Sequence, residues 1–242
     1  MTEISRTAFQ SAGLVVAMGL GAFAVIQTLQ GQSFDARVEQ ALLDRPDIMI
    51  RVFEKLERQR AEKEAAAAQD QIADLADDLF AGLDPARPIL IELMDYNCGY
   101  CRRAHGTVEA IRTANPDLQY VRIETPILGA ASRLAAEVAL TVKATHGHAA
   151  YDRLASALMT SPGPVNPGTL QQILEAEGFV ADTILERARA GAADADLAEA
   201  ARIARRLGAT GTPVFVGPSG MVRGAGSGAE LLEIAAPAPA PT

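Results

Sequence analysis

Two cysteines, Cys98 and Cys101, are the only ones in the 242-residue chain, and they enclose Gly99-Tyr100. This spacing puts both sulfurs within one helical turn, close enough to form a disulfide and to exchange it. The pair directly follows an apolar strand and opens a helix, so Cys98 falls at the helix N-terminus. Unpaired amides and the helix dipole there favour thiolate over thiol. Thiolate is the attacking species in disulfide exchange, which predicts Cys98 as the nucleophile and Cys101 as the resolving thiol. Closing so short a loop removes little chain entropy, so a purely stabilising cross-link fits poorly. Three other readings stay open. A zinc site needs about four ligands, and His105 is the one further candidate nearby. Copper(I) can be held by two thiolates alone. An inert pair is the third reading, against which the strand-to-helix setting argues.

Glu92 interrupts the apolar run Ile89-Leu90-Ile91-Glu92-Leu93-Met94, six residues before Cys98. Burial there would raise its pKa and poise it to take the Cys101 proton. An exposed strand face is the alternative. Thr212-Pro213 opens a later strand, where a proline cannot donate to the ladder. A cis bond there would present the Thr212 backbone to an extended substrate, with Gly99 and Tyr100 lining the same surface. A trans proline in a turn is the competing reading. His105, His146 and His148 read as surface or structural residues.

The elements that must position these residues follow from periodicity. Ile89–Met94 reads as a strand, Cys98–Ala114 as a helix and Leu118–Ile123 as a second strand, hence a parallel βαβ unit. Ala131–Ala190 reads as helical, interrupted by the Pro- and Gly-rich loop Ser161–Gly168. Asp194–Leu207 is a further helix with Gly208 as its C-cap. Val214–Val216 and Met221–Arg223 flank Gly217-Pro218-Ser219-Gly220, a hairpin signal, and Ala229–Ile234 forms a last helix. Upstream, Ser33–Phe80 reads as helical, with a break at Asp44-Arg45-Pro46 and a polar middle from Glu57 to Gln71 that has little to bury.

At the N-terminus, Ala12–Ile26 is an unbroken run of apolar and glycine residues. It suits a signal-peptide core with Ala22-Phe23-Ala24 as the cleavage site. Lengthened by its polar flanks, it also suits an uncleaved anchor. Either reading exports the remainder. A buried core helix fits less well, for want of a polar face. The resulting organisation is a signal or anchor over 1–32, a helical extension over 33–81 and an α/β domain over 82–236. That domain carries a helical insert at about 130–191, and an Ala/Pro tail covers 237–242. A net charge of −8 disfavours nucleic-acid partners.

At these residues the chain resembles the DsbA-like family of the thioredoxin superfamily. The resemblance is carried by Ile91 to His105, by Thr125-Pro126-Ile127-Leu128-Gly129 and by Gly208 to Phe215. It implies a thioredoxin fold with a helical insertion, an α/β class. It also implies Cys98 as nucleophile, Cys101 as resolving thiol, Glu92 as buried acid and Pro213 as cis-proline. Phe34–Leu56 is similar to the helical region of ScsC-like members, which implies a homo-oligomer. The activity implied is protein disulfide oxidoreductase or isomerase in the periplasm. It needs no organic cofactor, acts on cysteine-containing exported clients, and is recycled by a membrane redox partner. Strongly oxidising relatives carry Pro-His between the cysteines. Tyr100 supplies no positive charge, so a less oxidising pair is expected.

Overall fold

The computed structural model describes residues 34–237. The N-terminal apolar run and the end of the Ala/Pro tail lie outside the described residues. The chain divides into two compact units, Met1–Glu62 and Lys63–Thr242.

In the first unit, helix α1 (Phe34–Asp44) buries none of its residues. Helix α2 begins at Pro46 and runs to Asp74. Proline is tolerated in a first turn, where its missing N–H would have no partner. Phe34, Leu43, Ile50, Phe53 and Leu56 are all more than half exposed. Among the described residues, no helix is long and apolar enough to cross a membrane.

The second unit is built on a four-stranded sheet in the order β2-β1-β3-β4. Strand β1 (Ile89–Met94) is buried at every residue. A strand covered on both faces reads as a continuous apolar run, which is what this sequence offers. It pairs in parallel with β2 (Gln119–Glu124) and antiparallel with β3 (Val214–Gly217). Strand β4 (Gly220–Arg223) closes the hairpin with β3. The second strand thus starts one residue later than expected and includes Glu124, which pairs opposite Met94.

Alternation along β1 separates two cores. Ile89, Ile91 and Leu93 pack with Ile72, Leu75, Leu79, Ile203 and Leu207. These come from the end of α2, from α3 (Ala76–Leu79) and from α9 (Asp194–Arg206). On the other face, Leu90 joins Ala104, Val108 and Ile111 of α4 (Gly99–Ala114) and Leu231 and Ile234 of α10 (Gly228–Ala235). Glu92 belongs to this second face, beneath α4. Gly217 is required at the hairpin, because a Cβ there would lie 2.2 Å from the Ile234 carbonyl oxygen.

The insert is four helices, two before and two after the expected Pro- and Gly-rich loop. They are α5 (Ala130–His146), α6 (His148–Thr160), α7 (Pro167–Ala176) and α8 (Ala181–Arg189). Gly147, at φ +83°, separates the first two. The Asn166 side chain caps α7 by accepting from the Gly168 and Thr169 amides. Their apolar faces form a third core that includes Met94, Tyr96, Cys98 and Cys101. The active-site helix therefore lies against both the sheet and the insert. The following helix α9 ends at a Leu207 cap, with Gly208 one residue beyond at φ +59°.

Candidate active site

Cys98 is the N-cap of α4, in extended backbone conformation. Its sulfur donates to the Thr212 carbonyl at 3.1 Å. Cys98 keeps 7% of its surface exposed, whereas Cys101, one turn further, keeps none. Both are free thiols. Burial pushes the Cys98 thiol up, but hydrogen bonding from Thr212, from Cys101 and from the Tyr100 amide outweighs it. The net result lies below the ordinary thiol value. For Cys101 burial dominates, and its pKa rises far above that of a free thiol. The less deeply buried sulfur thus carries negative charge readily and the fully buried one does not. This is the polarity that disulfide exchange requires.

Thr212 and Pro213 stand beside the sulfurs, and the bond between them is cis. The Thr212 hydroxyl is buried with no hydrogen-bond partner among the described residues. Its side chain is a group that lowers both cysteine pKa values. It is therefore a donor available to a thiolate. Tyr100 is 60% exposed. It lines a cavity of about 270 Å³ together with Gly211, Thr212, Pro213 and Val214. Gly99 lies at the start of the helix and is exposed. A larger cavity of about 440 Å³, around Val121, Leu140, Lys143 and Ile203, includes neither cysteine.

Glu92 is 2% exposed. Burial raises its pKa to about 7, opposed by the Tyr120 hydroxyl and by Arg122. Tyr120 donates to Oε2, and Oε1 has no partner among the described residues. The Glu92 charge acts on Cys101, so the two groups sense each other.

Several residues that the sequence reading did not single out complete the site. Tyr120, Arg122 and Glu124 alternate along β2, and Arg122 and Glu124 pair with Glu92 and Met94 of β1. Glu124 is 2% exposed, accepts from Tyr96 at 2.8 Å and Tyr151 at 2.7 Å, and is also raised to about 7 by burial. Arg122 is held by Asp152 at 2.5 Å. The period-2 polar pattern on a strand beside Glu92 was the available signal. Asp95, 1% exposed, accepts from the amides of Asn97, Ile127 and Leu128 and so ties the cysteine loop to the Pro126-Ile127-Leu128 segment. Asn97 bonds both backbone groups of Val165, and Arg102 donates to the Gly163 carbonyl, which fixes the insert against the same loop. His105 is buried and faces Ser156 at 3.2 Å. Among the described residues, no three His, Cys, Asp or Glu side chains are grouped to hold a metal ion.

Residues 89–234 match the model of the DSBA-like thioredoxin domain. The chain belongs to the DsbA-like thioredoxin family. A thioredoxin-like oxidoreductase from Silicibacter pomeroyi is 32% identical, over 64% of this chain and 92% of its own, with a TM-score of 0.58. A periplasmic thioredoxin-like protein from Salmonella enterica serovar Typhimurium is 25% identical over 66% and 93%, with a TM-score of 0.56. A linker-deletion mutant of Proteus mirabilis ScsC is 23% identical over 84% and 95%, with a TM-score of 0.60, a likeness of fold. No curated protein matches the chain. The DsbA-like fold accounts for the sheet order and the helical insert, and family membership makes the chain a thiol–disulfide oxidoreductase.

Proposed function

We propose that this DsbA-like chain works in the periplasm, exchanging a Cys98–Cys101 disulfide with cysteines of exported client proteins as an oxidase or isomerase. The observation that carries the reading is the opposite perturbation of the two thiols, Cys98 lowered and Cys101 raised. In the oxidising direction a client thiolate attacks the Cys98 sulfur. The S–S bond breaks and Cys101 leaves with the electron pair, taking a proton from the Glu92 carboxyl. A second client thiolate then attacks the client sulfur of the mixed disulfide. Cys98 departs as thiolate, stabilised by the helix N-terminus and Thr212. Two electrons pass to the pair and the client gains one disulfide. In the reverse direction Glu92 accepts the Cys101 proton, so that Cys101 can resolve the mixed disulfide. The surface of Tyr100, Gly99, Thr212 and Pro213 receives the extended client segment. A membrane redox partner resets the pair, and the N-terminal apolar segment directs export. The exposed apolar side chains of Phe34–Leu56 fit a homo-oligomer, which the solution mass measures.

The deciding experiment uses Cys101→Ser with a reduced, unfolded client whose native state contains disulfides. The variant, first treated with a small disulfide so that Cys98 carries a mixed disulfide and one small thiol is released, should accumulate a client–Cys98 mixed disulfide on non-reducing gels. The wild type should instead turn over and restore client activity. A wild type that neither oxidises nor reshuffles the client would sink the proposal, and stoichiometric copper(I) uptake lost in Cys98→Ser would replace it with metal binding.

A further inference from the structure

Arg103 stands three residues after Tyr100 on α4, and its guanidinium carbon lies 4.1 Å from the centroid of the Tyr100 ring. Its Nη1 lies 3.7 Å from the point a Cβ on Gly99 would occupy. The side chain leans back toward the helix N-terminus, as long helical side chains do. It ends over the two residues between the cysteines. The other cations around the site are engaged. Arg102 donates to the carbonyls of Tyr96 and Gly163, and Arg223, beside the same cavity as Tyr100, donates to those of Leu207 and Gly208. Arg103 has no carboxylate partner among the described residues, and the ring is its contact. A guanidinium over a tyrosine face is held by the ring quadrupole without losing its charge.

We infer that Arg103, clamped on Tyr100, is the positively charged group of the dithiol site and shifts the Cys98–Cys101 couple in the oxidising direction. The inference rests on the redox reading of that pair. Reduction of the disulfide takes two electrons and one proton and yields a Cys98 thiolate and a Cys101 thiol. Arg103 exchanges neither electrons nor protons. It stabilises the thiolate through space, adding to the field of the helix N-terminus, and so favours the reduced form and makes the disulfide a stronger electron acceptor. Other groups facing the cysteines do not duplicate it. Thr212 contributes a neutral hydroxyl and a carbonyl, Glu92 lies next to Cys101, and Asp95 is occupied by three backbone amides. The charge that Gly99-Tyr100 lacks is here supplied from the next turn of the helix. This opposes the weakly oxidising character expected from Gly99-Tyr100 alone.

The test is a charge series at this one position, Arg103→Lys, Arg103→Gln and Arg103→Glu, in the full chain. Two readouts are taken: the equilibrium constant for oxidation of glutathione, and the iodoacetamide alkylation rate of Cys98 across pH. The constant should fall about three- to tenfold in Arg103→Gln and further in Arg103→Glu, and stay within about twofold of wild type in Arg103→Lys. Alkylation should titrate at higher pH in the same order, and about 1 M salt should compress the series. A Gln or Glu variant equal to wild type overturns the inference. So does a Lys variant as impaired as Gln, because the effect would then belong to the stack and not to the charge. If the wild type forms no reversible disulfide with glutathione, the redox reading itself falls, while the alkylation series still reads the field of Arg103 on Cys98.

Discussion

Replacing Glu92 with Gln keeps the shape and the Tyr120 hydrogen bond but removes the ionisable group. Burial lifts the Glu92 carboxyl from 4.5 to about 7. The folded chain therefore binds this proton more tightly than the unfolded chain does. Below about pH 4.5 both states are protonated and Glu92 costs nothing. From about pH 4.5 to 7 the unfolded chain gives up this proton while the folded chain keeps it, so stability is lost over that range, and the loss levels off above 7 where the folded chain buries a carboxylate. At 1.36 kcal/mol per pH unit the full loss is roughly 3 kcal/mol, of which about 2.5 kcal/mol develops between pH 5 and pH 8. Glu124 is raised in the same direction and stays in both proteins, so it largely cancels from the comparison. Urea unfolding of the reduced wild type and of Glu92→Gln at these two pH values measures the term directly. The advantage of the Gln variant should grow by about 2.5 kcal/mol from pH 5 to pH 8. A constant difference would refute the argument, because it would mean that Glu92 ionises in the folded chain at the same pH as in the unfolded chain. It would then be no proton acceptor for Cys101. The same variant should slow resolution of a Cys98 mixed disulfide by about tenfold or more in a stopped-flow assay near pH 7.

Thr212→Val removes the buried hydroxyl that lowers both thiols. It should slow alkylation of Cys98 near neutral pH about three- to tenfold, with little change at high pH where the thiolate is already formed. Gly217→Ala places a methyl group 2.2 Å from the Ile234 carbonyl oxygen and 2.9 Å from that of Ile89. It should destabilise the domain by about 2 kcal/mol or more in chemical denaturation, and an unchanged midpoint would show that the β3–β4 hairpin can shift to relieve the contact.

The linear sequence was informative wherever a local pattern had only one physical use. The apolar run of β1, the cysteine spacing, the Pro46 and Gly208 punctuation and the Gly217–Gly220 turn each depend on neighbours in the chain. Their elements formed within a residue or two of the expected bounds. The insert was legible as helix but not as four helices. Its ends at Gly147 and Gly178, both at positive φ, interrupt a stretch whose alanine content favours helix throughout. Glu92 stood out because one acid in six apolar residues is conspicuous. Arg122 and Glu124 did not, because a polar residue at alternate positions of a strand reads equally well as a solvated face.

What the sequence by itself determined is the chemistry available: two thiols three residues apart at a helix start, one acid in a central strand and a proline at the head of another. What only the tertiary structure decided is the environment that gives each group its charge. Thr212 reaches Cys98 across 114 positions of chain. Parallel pairing of β1 and β2 sets Arg122 opposite Glu92, and the insert seals Cys101 from water. A pKa is a difference in solvation and field between two protonation states, and both are properties of whatever surrounds the group in space. Arg103 shows the same division. Its identity was plain in the sequence, but only the backward lean of its side chain sets the guanidinium over the Tyr100 ring between the two cysteines.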